Sequence, residues 1–102
     1  MLDARVRFYG DLDDESAASW LAHTRPHPAV AQLTPLTYTA YLHHPVSYLL
    51  CTRDEALPIE AQKGMVASLP GIDVHSVDAG HSPYLSKEAE VVAVIEKVAI
   101  TA

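Results

Sequence analysis

The chain has 102 residues, of which 49% are hydrophobic and 20% are charged, a balance typical of one globular domain and not of a disordered or repetitive chain. Its formal net charge of -6 excludes a surface that follows nucleic-acid phosphates, because such surfaces depend on clustered Lys and Arg. Cys51 is the only cysteine, so we expect no internal disulfide and a reducing compartment.

The sequence also lacks the features of a membrane or secreted protein. No run of residues approaches the roughly 20 apolar positions that span a bilayer. Residues 1–5 do not have the order of charge followed by apolar residues that marks a signal peptide. We therefore expect a soluble, cytoplasmic protein with no membrane partner.

The first part of the chain is predicted to be helical and broken. The acidic run at residues 11–15 indicates a helix start, and the pattern predicts a helix from about Asp14 to His23. Prolines then end it, and a second short helix follows Pro28 through Leu33. Residues 37–41 carry β-type side chains without clean alternation, so we predict irregular structure there.

The second part alternates strands and helices. The apolar run Val46 to Cys51 predicts a strand buried on both faces, with helices above and below it. A helix follows from Pro58 to the stop at residues 70–71, and residues 72–77 predict a second strand, more exposed on one face. Ser86 is expected to cap a final helix with one apolar stripe, formed by Val91, Val94, Ile95 and Val98.

Two loops of this unit carry the residues of chemical interest. A strand, helix and strand in succession predict parallel strands, whose carboxyl ends lie on one edge of the sheet. The loop of residues 52–57 and the loop of residues 78–85 should therefore open side by side, about 5 Å apart at their roots. Asp54 lies in the first loop and His81 in the second.

A carboxylate that orients an imidazole is the base half of a nucleophilic triad. Each residue also has a structural explanation: Asp54 as a capping or turn residue before Pro58, and His81 as a loop histidine held by Asp78 or by the backbone. The local sequence favours the triad explanation over these.

Both loops resemble those of α/β-hydrolases. The string YLLCTRDEALP (residues 48–58) and the string DAGHSPYLS (residues 78–86) contain the patterns D-x-x-(I/L)-P and G-H-S-P. These are similar to small esterase-like hydrolases related to plant methylesterases and hydroxynitrile lyases, and residues 8–12 with the Trp20 helix look like the end of that family's cap. The resemblance implies a partial α/β-hydrolase fold: two parallel strands in a β-α-β-α unit at residues 46–102, preceded by a helical cap remnant and connection at residues 1–45.

The sequence departs from this family at the nucleophile. α/β-Hydrolases place a serine in a G-x-S-x-G elbow, and none of the four glycines stands in such a pattern; they are Gly10, Gly64, Gly71 and Gly80. The resemblance implies that Asp54 would orient His81, and that His81 would deprotonate a serine supplied by a missing N-terminal hydrolase segment. We expect negligible hydrolysis by the chain alone; a small-molecule ester of an aromatic or aliphatic acid would be the substrate once the site is completed.

Two other functions remain open. The chain could be a truncated homologue that serves binding or assembly, or a non-hydrolytic lyase or cyclase that uses His81 and Asp54 as an acid-base pair in an oligomer. In the whole family fold the first strand would pair on its far side with a strand absent from this sequence, so we expect a homo-oligomer built on that edge.

Other polar side chains give weaker candidates. His75, Asp78 and His81 lack the spacing of a metal site, and the adjacent His43 and His44 point apart. Ser82 stands between His81 and Pro83 without an elbow, so we do not expect it to be the nucleophile. We predict neither a metal nor a cofactor.

Overall fold

A computed structural model of the chain describes residues 3–101. The elements, in chain order, are α1 (Ala4–Tyr9), α2 (Asp14–Leu21), α3 (Ala29–Leu33), a 3-10 turn (Ala40–Leu42), β1 (Ser47–Cys51), α4 (Ile59–Ala67), β2 (Asp73–Val77), α5 (Pro83–Ser86) and α6 (Glu88–Thr101). None of the described helices combines the length and the apolar character needed to cross a membrane.

Helix α2 begins at the predicted residue and ends earlier than predicted. The Asp13 side chain accepts a hydrogen bond from the Ser16 N–H, so the acidic run caps the helix as expected. The helix ends at Leu21 rather than His23, because the N–H groups of His23 and Thr24 bond to carbonyls three residues back and tighten the chain into a turn.

Helix α1 was not predicted from the sequence. It begins after Asp3, whose carboxylate accepts a hydrogen bond of 2.9 Å from the Arg5 N–H. The Arg5 guanidinium donates to the carbonyls of Tyr9 and Leu12 and to the Asp14 carboxylate. This one side chain therefore joins the end of α1 to the start of α2.

Residues 22–46 connect these helices to the sheet and are largely exposed. Helix α3 occupies the predicted positions, and the 3-10 turn lies at the end of the segment predicted to be irregular. Large apolar side chains here face solvent; Leu33 is 79% and Leu36 is 72% exposed.

The sheet has the predicted topology. β1 and β2 pair in parallel, with Ser47 opposite Asp73 and Cys51 opposite Val77. The pairing continues past both strands, since the Arg53 N–H donates to the Ala79 carbonyl at 2.9 Å. Helix α4 connects the strands and packs on β1, while α6 packs on β2. The described fold is therefore a partial α/β fold, as predicted.

The prediction that the first strand is buried on both faces is wrong. Within β1 only Cys51 is buried, and residues 48–50 are partly exposed. The core cluster consists of Cys51, Val77 and Ala79, with Leu49 packed against it. On one face, the strands and α6 leave an open apolar cleft of 460 Å³. The apolar side chains of Tyr48 and Leu49, which suggested a buried strand, line this cleft. Its lining is formed by Ser47, Tyr48, Leu49, His75, Val91, Val94, Ile95, Val98 and Ala99.

The prediction that Ser86 caps the final helix is also wrong. Ser86 is the last residue of α5, and α6 begins at Glu88. The Ser86 hydroxyl donates instead to the Asp11 carboxylate, 75 positions away in the chain. A local capping pattern could not reveal this tertiary contact.

Candidate active site

The loops after β1 and β2 bring Asp54 and His81 into contact. The His81 Nδ1 atom lies 2.9 Å from Oδ2 and 3.1 Å from Oδ1 of Asp54. Parallel pairing is the cause, because it sets the carboxyl ends of both strands on one edge. The two residues predicted from the sequence are therefore adjacent in the structure.

Backbone groups of its own loop fix the Asp54 carboxylate. Its Oδ1 accepts hydrogen bonds from the N–H groups of Ala56, at 2.8 Å, and Leu57, at 2.9 Å. These bonds form an Asx-type turn, as the structural explanation for Asp54 predicted. The same carboxylate also contacts His81, so the turn and the contact are compatible. The Asp54 side chain is only 6% exposed, so the carboxylate itself is largely shielded from water.

The His81 imidazole is oriented by this carboxylate. A carboxylate accepts hydrogen bonds, so the contact assigns the proton to Nδ1 and leaves Nε2 as the free basic nitrogen. The side chain is 38% exposed, and the Phe8 ring lies 5.4 Å from the imidazole, centroid to centroid. Asp78, the alternative partner, is bound instead to the Arg53 guanidinium at 2.8 Å.

Gln62 is a structural residue of this site to which the sequence analysis assigned no role. This side chain of α4 is 1% exposed. Its Oε1 accepts from the Cys51 N–H at 2.9 Å, and its Nε2 donates to the carbonyls of Cys51, at 3.0 Å, and Leu57, at 2.8 Å. Gln62 therefore joins the end of β1 to the far side of the Asp54 turn. A lone amide among apolar helix positions was the available signal.

Two other nucleophilic side chains near the site are held inactive. Burial of Cys51, together with the negative charges of Asp54 and Asp11, raises the pKa of its thiol above the usual value, which keeps the thiol protonated. Ser82 is 2% exposed, and its hydroxyl donates to the Phe8 carbonyl at 2.7 Å. Neither side chain has the exposure and the adjacent base that activate a nucleophile.

The residues weighed as metal ligands separate into different pairs. His75 lies 2.7 Å from the Asp73 carboxylate, Asp78 pairs with Arg53, and His81 pairs with Asp54. Across residues 3–101, no group of three or more His, Cys, Asp and Glu side chains is arranged to hold a metal ion. His43 stacks on the Tyr38 ring, with centroids 5.1 Å apart.

Comparison with known proteins gives a consistent result. A sequence profile described as the alpha/beta hydrolase family matches residues 1–94. The protein named "Probable hydrolase R7" from Phoma sp. is 38% identical over 84 residues, which cover 78% of this chain and 33% of that relative. The chain thus spans about a third of the length of the curated relative that it matches. No solved structure matches it significantly. By the extent of the profile match, this chain belongs to the alpha/beta hydrolase family.

Proposed function

We propose that this chain is the C-terminal part of an esterase-like hydrolase and supplies Asp54 as the acid and His81 as the base of a Ser-His-Asp triad. The observation that carries this proposal is the contact of 2.9 Å between His81 Nδ1 and the Asp54 carboxylate, made by loops that follow neighbouring parallel strands. Membership of the hydrolase family supports it.

In the proposed reaction His81 moves the protons. Its Nε2 takes the proton of a serine hydroxyl while the serine oxygen attacks the carbonyl carbon of an ester. The Asp54 carboxylate stabilises the imidazolium, which then donates the proton to the leaving alcohol as the ester C–O bond breaks. Water, deprotonated in turn by His81, hydrolyses the acyl-serine and restores the starting state.

The nucleophile has to come from outside these 102 residues, because the sequence contains no G-x-S-x-G elbow. The partner that fits is an N-terminal hydrolase segment with that elbow and its oxyanion donors. The chain covers 33% of the length of its Phoma relative, a size relation that supports a missing segment of this kind.

The proposed place for such a segment is the outer edge of β1. Within the described residues the sheet has two strands, so β1 has a neighbour on one side only. Residues 37–41 form no strand on that edge. Without a partner chain, the same edge would favour pairing between copies of this chain, which is the basis of the proposed homo-oligomer.

The finer family placement rests on the motifs. We propose the branch that resembles plant methylesterases and hydroxynitrile lyases, with small aromatic or aliphatic esters as substrates. The Phe8 ring beside His81 supports an apolar acyl or alcohol group at that position. Residues 1–45 would then be the cap remnant and connection, and residues 46–102 the catalytic β-α-β-α unit.

A chimera tests the proposal directly. This chain replaces the matched segment of the Phoma relative, and hydrolysis of p-nitrophenyl acetate and butyrate is measured near neutral pH. We expect hydrolysis by the chimera and only the background rate from the 102-residue chain. In the chimera, His81→Ala and Asp54→Asn should each lower kcat by roughly 10³-fold or more.

His44→Ala is the matched control, since His44 is an exposed histidine in the connecting segment, and it should leave kcat at the parent value. A chimera that hydrolyses equally well with and without His81 would refute the assigned base. Turnover of a small substrate by the lone chain, abolished by His81→Ala, would instead favour the lyase or cyclase alternative. The complete absence of turnover in both proteins would favour a binding or assembly role.

A further inference from the structure

Asp11, in the turn between α1 and α2, reaches across the molecule to the loop that carries His81. Its Oδ2 accepts a hydrogen bond of 2.8 Å from the Gly80 N–H and one of 2.5 Å from the Ser86 hydroxyl. These donors lie on either side of His81, and they are 69 and 75 positions away from Asp11 in the chain. One carboxylate oxygen therefore connects the two ends of the segment from Gly80 to Ser86, which we call the base loop because it carries His81.

The surroundings of Asp11 favour its ionised form. Burial opposes ionisation, but the hydrogen bonds from Gly80 and Ser86 and the charge of Arg53 outweigh it and hold the pKa of Asp11 below its usual value. Asp11 is thus a carboxylate at neutral pH, and its hydrogen bonds to the loop are charge-assisted.

Gly80 permits this close approach. A Cβ atom added at Gly80 would lie 2.8 Å from the Asp11 Oδ1, closer than Cβ atoms pack, and 3.1 Å from its Cγ, which is a tight contact. Only glycine brings the backbone N–H of position 80 up to the carboxylate without displacing it. The glycine before His81 is therefore explained by the position of Asp11.

A second contact fixes the residue that follows His81 in the chain. The Ser82 hydroxyl donates to the Phe8 carbonyl, and the Phe8 ring packs against His81. Both neighbours of His81 in the chain are thus bonded to residues 8–11. The direction in which the imidazole projects depends on this N-terminal segment as well as on β2.

From these contacts we infer that Asp11 is a positioning residue, which fixes the Gly80–Ser86 loop and thereby holds His81 against Asp54. The inference rests on the role proposed for His81, but it concerns the geometry of the loop and not turnover. It also gives residues 3–21 a function in the site, beyond that of a cap remnant.

The test compares Asp11→Ala with Asp14→Ala in the 102-residue chain. Asp14 is a fully exposed carboxylate of the same segment that makes no hydrogen bond to the base loop. NMR of the chain with ¹⁵N-labelled histidine follows the His81 Nδ1–H signal, and amide exchange follows the Gly80 N–H. In Asp11→Ala we expect the His81 signal to broaden or vanish and Gly80 exchange to accelerate about tenfold or more, while amides of β1 and β2 keep their protection. Asp14→Ala should match the parent chain.

An unchanged His81 signal in folded Asp11→Ala would overturn the inference. If that variant does not fold, Ser86→Ala decides, because it removes one of the two hydrogen bonds to Asp11: a weakened His81 signal supports the inference and an unchanged one overturns it. A parent chain without the Nδ1–H signal would also overturn it, since there would be no pair to position. None of these measurements needs catalysis, so a chimera that fails to hydrolyse esters would not change their result. Failure of the proposed function and failure of this inference can therefore be distinguished.

Discussion

At the scale of single residues, buried hydrogen bonds determine where the Asp54 carboxylate lies. The loop N–H groups of Ala56 and Leu57 hold it from one side, and Gln62 fixes the strand end and the turn from the other. The imidazole meets a carboxylate that is already oriented. The Asp54 carboxylate therefore keeps its orientation whether His81 is neutral or protonated.

Replacing Gln62 should destabilise the chain. Gln62→Leu leaves the Cys51 N–H and the carbonyls of Cys51 and Leu57 without partners in a buried place, at a cost of about 2–4 kcal/mol. Urea unfolding followed by circular dichroism measures this loss. Gln32→Leu, at an exposed position of α3, is the control and should change stability by less than about 0.5 kcal/mol. Equal stability of the two variants would show that Gln62 has no such structural role.

Asp11 should make stability depend on pH in acid. Its pKa is lower in the folded chain than its usual value, so it binds a proton less readily when folded than when unfolded. Its contribution is therefore fully present above the unfolded pKa of about 4 and disappears as the pH falls through the folded pKa. The difference in unfolding free energy between the parent chain and Asp11→Asn should be constant from pH 5 to 7, a window set by that pKa of about 4, and should shrink below it. A difference that grows in acid would contradict this assignment.

The sequence located Asp54 and His81 but not the structural roles of Asp11 and Gln62. Asp54 and His81 stand in short patterns at strand ends, so local reading located them. Asp11 acts through contacts 69 and 75 positions away, and nothing in its immediate neighbours distinguishes it from the other acidic residues of the helix start. Gln62 contacts residues 5 and 11 positions away, and its only local signal was an amide among apolar helix positions. The periodicity of a segment does not show which side chains elsewhere in the chain it will contact.

At the scale of elements, the alternation of strands and helices in residues 46–101 was predictable because each apolar run ends in turn residues. Boundaries were less so: α2 is shorter than its pattern, and α6 begins after a separate turn of helix at residues 83–86. Helix α1 was missed because only its cap, Asp3, marks it. The burial of β1 was predicted wrongly because apolar residues show that a strand can be buried, but not whether another element covers it.

The uncovered cleft between the strands and α6 should promote association of the chain. Ile95 lines this cleft and is 61% exposed, so burying it against another molecule is favourable. Sedimentation of the parent chain should give a mass above the 11.1 kDa of one copy, and Ile95→Lys should shift it toward one copy. Ile100→Lys is the control, on the same helix, 84% exposed and outside the cleft lining. A parent chain that sediments as a monomer would rule out this association.

At the scale of the whole molecule, a core of so few buried residues is small for a chain of this length. Large apolar side chains of residues 30–42 and of α6 remain exposed. A small domain buries a small fraction of its surface, so its stability depends on covering most of its apolar side chains. The matched relative is about three times longer than the segment that it shares with this chain, and the N-terminal hydrolase segment proposed above would cover such a surface. Tertiary cover of this kind lies outside what the pattern of residues 1–102 can report.

Gln62 limits how far another strand can run alongside β1. Residues 46 and 52 bond to β2, so alternation along the ladder turns the N–H and C=O of Cys51 outward, and both are already occupied by the Gln62 amide. An incoming strand can bond to the outward groups of Ser47 and Leu49 but finds none free at Cys51. The Gln62 amide thus occupies the outward backbone groups at the end of β1, so a strand added on this edge would pair beside Ser47 and Leu49 and stop short of the loops that follow the two strands.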